Sequence, residues 1–512
     1  MSLRAWYARS EALPGAPGLR TLHVSQEGWR QVAQDAAAAA GRLVTLWASN
    51  DLRMGVVLRA AFLGDGGGLV VTLPLADFDA CYPGIEDLFP VAARLQRAVA
   101  DLSGIRSSDP DPRPWLRHAA WSAGYRPLTD PPKLAIATEP AIDSYAFVRV
   151  EGDGVHEIAV GPVHAGIIEP GHFRFSVVGE KVLRVEERLG YVHKGIELRF
   201  TQMPILEGHR LAARVSGDSA VAYSWAYCQA LEGIADTEIS PRAAWLRALY
   251  LELERVANHL GDLGALGNDA GFAFGLTQFS RLKEQLLRAN QQAFGERYLM
   301  DAIVPGGTRL DLAQTGVPPL SGCLREIADE VQTLRTIYEE HEGVRDRFSG
   351  AGIVVPELAT RLGLTGLAGR ASAQAFDLRC DLPCEPYTQF PMTKVVRSEG
   401  DVAARVAVRF DELQESCRLI QHILETLPKG PQRTPLRAPA DGAIGAGLVE
   451  GWRGPVWIAL EAGPDGSIRR CHPHDPSWQN WPVLEHAILG NIVPDFPLIN
   501  KSFNLSYSGH DL

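Results

Sequence analysis

Two short segments of this chain carry polar side chains at a spacing that suits a buried site. Residues 214–219 read Arg-Val-Ser-Gly-Asp-Ser, and the spacing of Ser216 and Ser219 puts both hydroxyls on one side of a helical turn. Residues 505–512 read Leu-Ser-Tyr-Ser-Gly-His-Asp-Leu. Neither segment contains the thiolates that soft metals require. Other ligand types in these segments are limited to Asp218, His510 and Asp511. The sequence therefore predicts no metal at either place.

Two histidines form a second candidate for chemistry. His164 and His172 lie in the stretch 161–173, which is rich in glycine and proline. An imidazole titrates near neutral pH, so it can donate a proton to a group that is being reduced. The same residues could instead tie the loop to its neighbours through hydrogen bonds, and the sequence leaves both interpretations open.

A third candidate is a set of charged residues between positions 370 and 405. Its members are Arg370, Asp377, Arg379, Arg397, Asp401 and Arg405. Charges of this kind must be paired if they are buried. The sequence leaves open whether the set is a proton relay or a paired network that braces the fold.

Bulk composition excludes several classes of function. The chain has 512 residues, of which 46% are hydrophobic and 22% charged, as in a soluble globular protein of two or three domains. The formal charge of −11 argues against broad nucleic-acid binding. We expect no membrane span, because no apolar run reaches roughly 18 residues. The seven scattered cysteines suit a reducing cytoplasm better than a disulfide framework.

Cofactor-binding motifs are missing as well. The glycine-rich stretch 64–68 lies between predicted strands rather than before a helix, so it indicates a turn and not a dinucleotide site. Cys380 and Cys384 form a single pair, whereas an iron–sulfur cluster needs four ligands. The sequence therefore predicts that this chain itself binds no cofactor.

A proline-rich passage divides the chain. Prolines at this density cannot lie inside helices or central strands, and they include Pro110, Pro112, Pro114, Pro127, Pro131 and Pro132. We predict an α/β domain over residues 1–125, a linker over 126–140 and a large domain over 141–512. In the first domain, apolar runs predict strands over 43–48, 56–62 and 69–73 and a helix over 89–102.

The large domain opens with strand-like segments and continues as a helical body. Alternation predicts strands over 146–150 and 173–178, and a β-rich piece returns near 447–460. Helical spacing of apolar residues predicts helices over 242–266, 278–294, 320–342 and 401–427. The predicted fold class is α+β, with a small N-terminal α/β domain followed by a central helical bundle and peripheral β segments.

A series of sequence blocks carries a family resemblance. These are residues 161–164 (Gly-Pro-Val-His), 169–173 (Glu-Pro-Gly-His-Phe), 190–197 (Gly-Tyr-Val-His-Lys-Gly-Ile-Glu), 251–260 (Leu-Glu-Leu-Glu-Arg-Val-Ala-Asn-His-Leu), 370–372, 377–379 and 480–482. Each block alone is weak, but their shared order across more than half of the chain is specific. In these blocks the chain resembles the large subunit of energy-converting nickel–iron hydrogenases and the related peripheral-arm subunit of respiratory complex I. The first domain is similar to the small peripheral-arm subunit of complex I, a fusion typical of formate-hydrogenlyase-type hydrogenases.

The resemblance also identifies what this chain lacks. The family carries Arg-Val-Cys-Gly-x-Cys and Asp-Pro-Cys-x-x-Cys, whose four thiolates hold a metal pair. The matching positions here are Ser216, Ser219, Ser506 and Gly509. The resemblance therefore implies a lost metal site and a chain that is not itself a nickel–iron hydrogenase. The four positions would line a pocket for a quinone head group or a water-filled path for protons. Alternatively, they would belong to a filled structural core.

The resemblance to complex I bears on the histidines too. In complex I the hairpin that corresponds to residues 161–173 reaches towards the quinone. That family pairs its histidine with a tyrosine in the stretch here occupied by residues 214–219, where no tyrosine stands. The candidate catalytic residues are accordingly His164, His172, Arg214, Asp218, Arg370 and Asp377.

The implied function lies within a membrane-associated, complex I-like oxidoreductase. This chain would couple electron transfer from an iron–sulfur cluster in a small partner subunit to proton or sodium translocation. Further implied partners are a ferredoxin-like subunit and antiporter-like membrane subunits. The resemblance places this chain on the cytoplasmic side of the inner membrane. It leaves open whether the chain binds a quinone. The alternatives are a quinone-reducing subunit of a complex I-type dehydrogenase and a non-catalytic assembly scaffold.

Overall fold

The structure, a computed structural model, describes residues 3–64, 66–118, 121–122, 124–130, 145–166 and 168–512. The strands are β1 (Glu11–Ala12), β2 (Leu19–His23), β3 (Arg42–Asp51), β4 (Gly55–Gly64), β5 (Gly67–Pro74), β6 (Cys81–Tyr82), β7 (Arg106–Ser107), β8 (Val155–Val160), β9 (His172–Val178), β10 (Lys181–Arg188), β11 (Ile303–Val304), β12 (Gly307–Thr308), β13 (Ile444–Gly451), β14 (Gly454–Ala462) and β15 (Ile468–His474). From position 131 onward, the linker predicted for 126–140 lies outside the described residues.

Helices make up the larger share of the regular structure. They are α1 (Leu3–Ala8), α2 (Gln26–Ala38), α3 (Ala92–Ser103), α4 (Ile196–Phe200), α5 (Gly208–Ala212), α6 (Ala220–Ile234), α7 (Pro241–Asp269), α8 (Ala273–Phe294), α9 (Val317–Glu340), α10 (Glu342–Phe348), α11 (Pro356–Leu362), α12 (Gly366–Arg370), α13 (Leu378–Asp381), α14 (Val402–Thr426), α15 (Ser477–Ala487), α16 (Phe496–Phe503) and α17 (Tyr507–Asp511). None of these helices, taken from the described residues, combines the length and apolarity needed to cross a bilayer. The α+β class predicted from the sequence is confirmed.

The N-terminal sheet has the strand order β1-β2-β5-β4-β3. Strands β2 and β5 run parallel, and the other neighbours are antiparallel. Helices α2 and α3 pack on this sheet, because the apolar side chains of both helices face it. The three strands and the helix predicted in this region are confirmed with small changes at their ends.

A bundle of α7, α8, α9 and α14 forms the centre of the remaining chain. Capping fixes where two of these helices begin, since Ser240 Oγ accepts a hydrogen bond from Ala243 N at 3.1 Å and Asp401 Oδ1 accepts one from Ala404 N at 2.8 Å. The four predicted helices are confirmed, although α9 ends at Glu340 and a separate helix, α10, follows.

The strand predicted over residues 146–150 is wrong, because this segment has no regular structure. Side chains rather than a neighbouring strand bind its backbone. Glu186 Oε2 accepts a hydrogen bond from Val148 N at 2.8 Å, and Arg113 Nη1 donates one to Ala146 O at 2.9 Å. The segment is largely apolar, but its backbone bonds to these two side chains and not to a neighbouring strand.

An antiparallel sheet with the strand order β13-β14-β15 joins the N-terminal sheet to the bundle. Ala16 N donates to Ala446 O at 2.8 Å, and Thr45 Oγ1 lies 2.7 Å from His472 Nε2. Helix α6 crosses β13 so closely that a Cβ at Gly447 would lie 1.8 Å from Ala226 O. This packing brings the start of α6, the β13–β14 turn and the C-terminal helix α17 to one place.

Candidate functional site

The two serine-bearing segments meet, as the family resemblance implied. Ser216 Oγ lies 2.9 Å from Ser506 Oγ and donates to Asp218 Oδ1 at 2.8 Å. Ser506 is the N-cap of α17, where its Oγ accepts a hydrogen bond from Gly509 N at 2.9 Å. Both serines are buried. Three of the four positions that match the family's cysteines are therefore joined by hydrogen bonds.

An arginine that sequence reasoning missed lies across this pocket. Arg453, in the turn between β13 and β14, donates to Asp218 Oδ1 at 2.7 Å and lies 3.5 Å from Ser219 Oγ. The Arg453 side chain is 5% exposed and that of Asp218 39%, so the ion pair lies at the edge of the pocket. Burial opposes ionisation of Asp218, but Arg453 and the Ser216 hydroxyl outweigh it and hold the pKa of Asp218 below its usual value.

Asp475, a second residue that the sequence analysis missed, occupies the space beside Gly509, the fourth of the matched positions. A Cβ at Gly509 would lie 2.5 Å from Asp475 Oδ2 and 2.9 Å from Ser506 Oγ, closer than a carbon normally approaches. The Asp475 carboxylate is fixed there, since Tyr223 OH and Ser477 N each donate to it at 2.8 Å. A side chain at position 509 would have to displace this carboxylate. We call the group of Ser216, Asp218, Arg453, Asp475, Ser506 and Gly509 the residual pocket.

The residual pocket does not fit a nickel–iron centre. Its donors are hydroxyls and carboxylates that already bind one another or Arg453, whereas the family's metal pair needs thiolates. Within the described ranges, His, Cys, Asp and Glu side chains form no group of three or more arranged to hold a metal ion.

The two candidate histidines belong to the β8–β9 hairpin but have different partners. His164 Nδ1 lies 3.1 Å from Pro162 O, and its Nε2 lies 3.4 Å from Tyr507 OH. His172 is 8% exposed and bonds within the hairpin, with Nδ1 3.4 Å from Gly161 O. Tyr507 was missed because the family pattern placed a tyrosine only near residues 214–219. His164 thus contacts the segment that carries Ser506 and Gly509.

Arg214 points away from the residual pocket. Its guanidinium forms two hydrogen bonds to the Asp301 carboxylate, at 2.7 and 2.9 Å, and its side chain is 48% exposed. The hydrogen bond to Asp301 is the main cause of the raised pKa of Arg214.

Arg370 and Asp377 belong to a large buried cluster that we call the buried charge network. Its members are Glu252, Arg255, His259, Arg370, Asp377, Arg379, Glu412 and Glu450, all at most 5% exposed. Helices α7 and α14 supply four of them, and the rest come from α12, the start of α13 and β13. Of these eight residues, only Arg370, Asp377 and Arg379 belonged to the charged set predicted from the sequence.

Arg370 is the centre of the buried charge network. Its Nε donates to Glu412 Oε1 at 2.7 Å and its Nη1 to Glu450 Oε1 at 2.9 Å. His259 Nε2 lies 3.0 Å from the other oxygen of Glu412. On the far side, Arg379 bridges Asp377 and Glu252 at 2.7 and 3.1 Å. Every carboxylate in the network therefore contacts a guanidinium.

The carboxylates of this network differ sharply in proton affinity. Burial raises the pKa of Glu450 to about 7, with the nearby Asp377 charge adding to the effect. Burial acts on Asp377 as well, but the guanidinium groups of Arg379 and Arg370 hold its pKa well below the usual value. Two neighbouring carboxyls with separated pKa values are the arrangement from which acid–base roles are assigned.

The other members of the predicted charged set lie elsewhere. Arg397 pairs with Asp411 at the rim, and Asp401 caps α14. Arg405 is buried and donates to Ser502 Oγ at 2.8 Å and to Gly400 O at 2.7 Å, which ties α14 to the C-terminal segment.

Comparison with known proteins agrees with this architecture. The family described as the 49-kDa subunit of respiratory-chain NADH dehydrogenase matches residues 269–441. Formate hydrogenlyase subunit 5 of Escherichia coli is 31% identical over 436 residues, which cover 84% of this chain and 77% of that protein. The C/D subunit of NADH-quinone oxidoreductase from Bacteroides thetaiotaomicron is 28% identical over 412 residues, covering 76% and 77% of the two proteins.

Among solved structures, a chain of the membrane-bound sulfane sulfur reductase, an archaeal respiratory membrane complex, has the same fold. It superposes with a TM-score of 0.65 at 24% identity and covers 70% of this chain and 99% of that one. The family resemblance drawn from the sequence blocks is confirmed.

Proposed function

This chain belongs to the family that unites energy-converting hydrogenase large subunits with the 49-kDa subunit of complex I, and from that premise we propose that it is a coupling subunit without metal chemistry. It takes part in a membrane-associated, complex I-like oxidoreductase. An iron–sulfur cluster in a neighbouring subunit receives the electron, and this chain links that event to proton or sodium movement by antiporter-like membrane subunits. A ferredoxin-like subunit supplies the electrons, and the complex lies on the cytoplasmic face of the membrane.

The observation that carries this proposal is the filled residual pocket. Ser216 and Ser506 bond to each other where the family has thiolates, and Asp475 stands where the fourth side chain would be. A pocket that had only lost its metal would keep unsatisfied polar groups, which cost about 1–3 kcal/mol each when buried. Here the polar groups of the pocket form hydrogen bonds with one another, which supports a role for the pocket that does not depend on a metal.

The buried charge network gives such a role a physical basis. A charge that arrives outside a low-dielectric region shifts the proton affinity of carboxyls inside it, because screening there is weak. Glu450, with its pKa raised by burial to about 7, responds near neutral pH. Proton uptake or release in this network would then follow the redox state of the partner's cluster.

Isolation of the intact complex from gently solubilised membranes tests the proposal. Iron without nickel, an iron–sulfur subunit and antiporter-like membrane subunits in the preparation would agree with it. A monomeric chain with no iron-containing partner would contradict it, and nickel above trace level would restore the hydrogenase interpretation.

Quinone reduction is a second candidate, favoured by one contact. Tyr507 OH and His164 Nε2 lie 3.4 Å apart, and a tyrosine–histidine pair can donate protons to a reduced quinone. Tyr507→Phe in the complex should then abolish quinone reduction, while Tyr338→Phe in the helical bundle, an equally buried tyrosine whose OH donates to Leu263 O, should leave it unchanged. Equal rates in both variants would exclude this candidate and leave coupling or a scaffold.

A further inference from the structure

A cavity of about 140 Å³ reaches the edge of the residual pocket from the protein surface. The side chains that matter in its lining are Asp218, Glu254, Asn258, Lys283, Arg297 and Tyr298. Tyr298 is 56% exposed and Asp218 39%, so water enters from the side of α8 and the loop after it. The volume holds several water molecules, and the polar lining gives them hydrogen-bond partners.

Glu254 is the most deeply placed charged group of this cavity. It lies on α7, is 8% exposed, and has no arginine or lysine within bonding distance among the hydrogen bonds and ion pairs of the described residues. Its partners are two backbone groups at the start of α6. Glu254 Oε2 accepts from Val221 N at 2.7 Å, while Oε1 accepts from Ala222 N at only 3.3 Å. Oε1 is therefore the oxygen better placed to carry a proton.

The groups around Glu254 have opposing effects on its pKa. Burial without a dedicated counter-charge raises the pKa of Glu254 to about 8; Asp218 adds to this effect, and the backbone N–H groups of α6 and Arg255 oppose it. Arg255 is already engaged, since it donates to Glu450 O and Gly451 O and lies 3.4 Å from Glu252. At the mouth of the cavity, Arg297 binds Glu284 at 2.6 Å rather than Glu254.

We propose that Glu254 is a proton-exchange site that takes a proton from water in this cavity and holds it next to the ionised Asp218. The two carboxyls have different roles, because Asp218, paired with Arg453, stays charged while Glu254 exchanges its proton. Uptake breaks one O–H bond of a hydronium ion in the cavity, which becomes water, and forms one O–H bond on Glu254 Oε1. On release at higher pH the proton passes to a hydroxide ion, which becomes water. The role of this proton in coupling rests on the proposed function, whereas the exchange itself does not.

Infrared difference spectroscopy of the purified full-length chain tests the exchange directly. A buried protonated carboxyl gives its own C=O stretching band, which should disappear on titration from about pH 6 to about pH 10 with a midpoint near pH 8. Glu254→Gln should remove this band, and Glu340→Gln, at an exposed end of α9, should retain it. Identical band changes in the wild type and Glu254→Gln would overturn the proposal.

A second variant covers the case in which Glu254→Gln does not fold. Asp218→Asn removes the negative charge that raises the proton affinity of Glu254 and leaves Arg453 unpaired, so this affinity should fall several-fold and the midpoint should move to lower pH. An unchanged midpoint would contradict the proposal. A purified chain that shows the titration but has no iron–sulfur partner would refute the proposed function while this site stands.

Discussion

The residual pocket and the buried charge network both take a residue from the β13–β14 hairpin, Arg453 and Glu450 respectively, but they stabilise charge differently. In the network, each carboxylate contacts a guanidinium, and every member is at most 5% exposed. In the residual pocket, hydroxyls and a single ion pair stabilise the charge, and one edge opens into a polar cavity. The residual pocket is therefore the more solvent-accessible of the two regions, and the network is the more deeply buried.

The largest effect should come from breaking the buried charge network at Arg370. Arg370→Met leaves Glu412 and Glu450 without their main counter-charge, and an uncompensated buried charge costs about 3–5 kcal/mol. We expect this loss in the free energy of unfolding, measured by chemical denaturation. Arg397→Met at the partly exposed rim removes a pair with Asp411 and should cost less than about 1 kcal/mol. Equal losses in both variants would show that burial of the network does not make its ion pairs more important for stability than a pair at the rim.

A pH series should separate the cavity carboxyl from the network. The pKa of Glu254 is about 8 in the folded chain, above that of an unfolded glutamate. Its contribution to stability is therefore complete below the unfolded pKa and is lost as pH rises through about 8, because the folded state must then bury a charge. Between the pKa of an unfolded glutamate and about pH 8, the free energy of unfolding of the wild type should therefore fall by a few kcal/mol relative to that of Glu254→Gln. A constant difference between the two proteins over the same pH range would show that Glu254 does not titrate as described.

Steric closure of the residual pocket predicts a smaller effect. Gly509→Ala brings a Cβ within 2.5 Å of Asp475 Oδ2, and overpacking of this kind costs about 1–3 kcal/mol. Gly217→Ala is the matched control, since no atom lies within 4 Å of its added Cβ. Thermal unfolding of both variants measures the difference, and similar midpoints would mean that Asp475 moves aside readily.

The smallest effect should come from a single pocket hydroxyl. Ser216→Ala removes the hydrogen bonds to Asp218 and Ser506, with a net loss of about 1 kcal/mol in the free energy of unfolding. Ser349→Ala, at an exposed position outside both regions, should change the stability by less. A loss from Ser216→Ala as large as that from Arg370→Met would erase the contrast between the two regions.

Much of this fold follows from local sequence patterns. Helical spacing of apolar residues located the four helices of the bundle, and apolar runs located the N-terminal sheet. The strand predicted over 146–150 failed because alternation does not reveal whether a neighbouring edge exists. The match of Ser216 and Ser506 to the family's cysteine positions comes from the family motifs, since a serine alone gives no sign of such a correspondence.

The remaining site residues could not be found in this way. Glu450 lies 80 positions from Arg370, and Arg453 lies 235 positions from Asp218, so their pairing depends on tertiary packing. Asp475 and Tyr507 likewise have no local signature of their contacts. A single acidic residue on an amphipathic helix, such as Glu254, is expected at the surface until the burial of that helix face is known.

The most direct test of the coupling account uses membrane vesicles that contain the intact complex, in which electron transfer and ion translocation are measured together. In Asp218→Asn, which disrupts the residual pocket's ion pair, we expect fewer ions moved per electron at an unchanged rate of electron transfer. Asp301→Asn, at the surface partner of Arg214, provides the control and should leave the ratio unchanged. An unchanged ratio in Asp218→Asn, or a loss of electron transfer in proportion to translocation, would contradict a coupling role for this pocket.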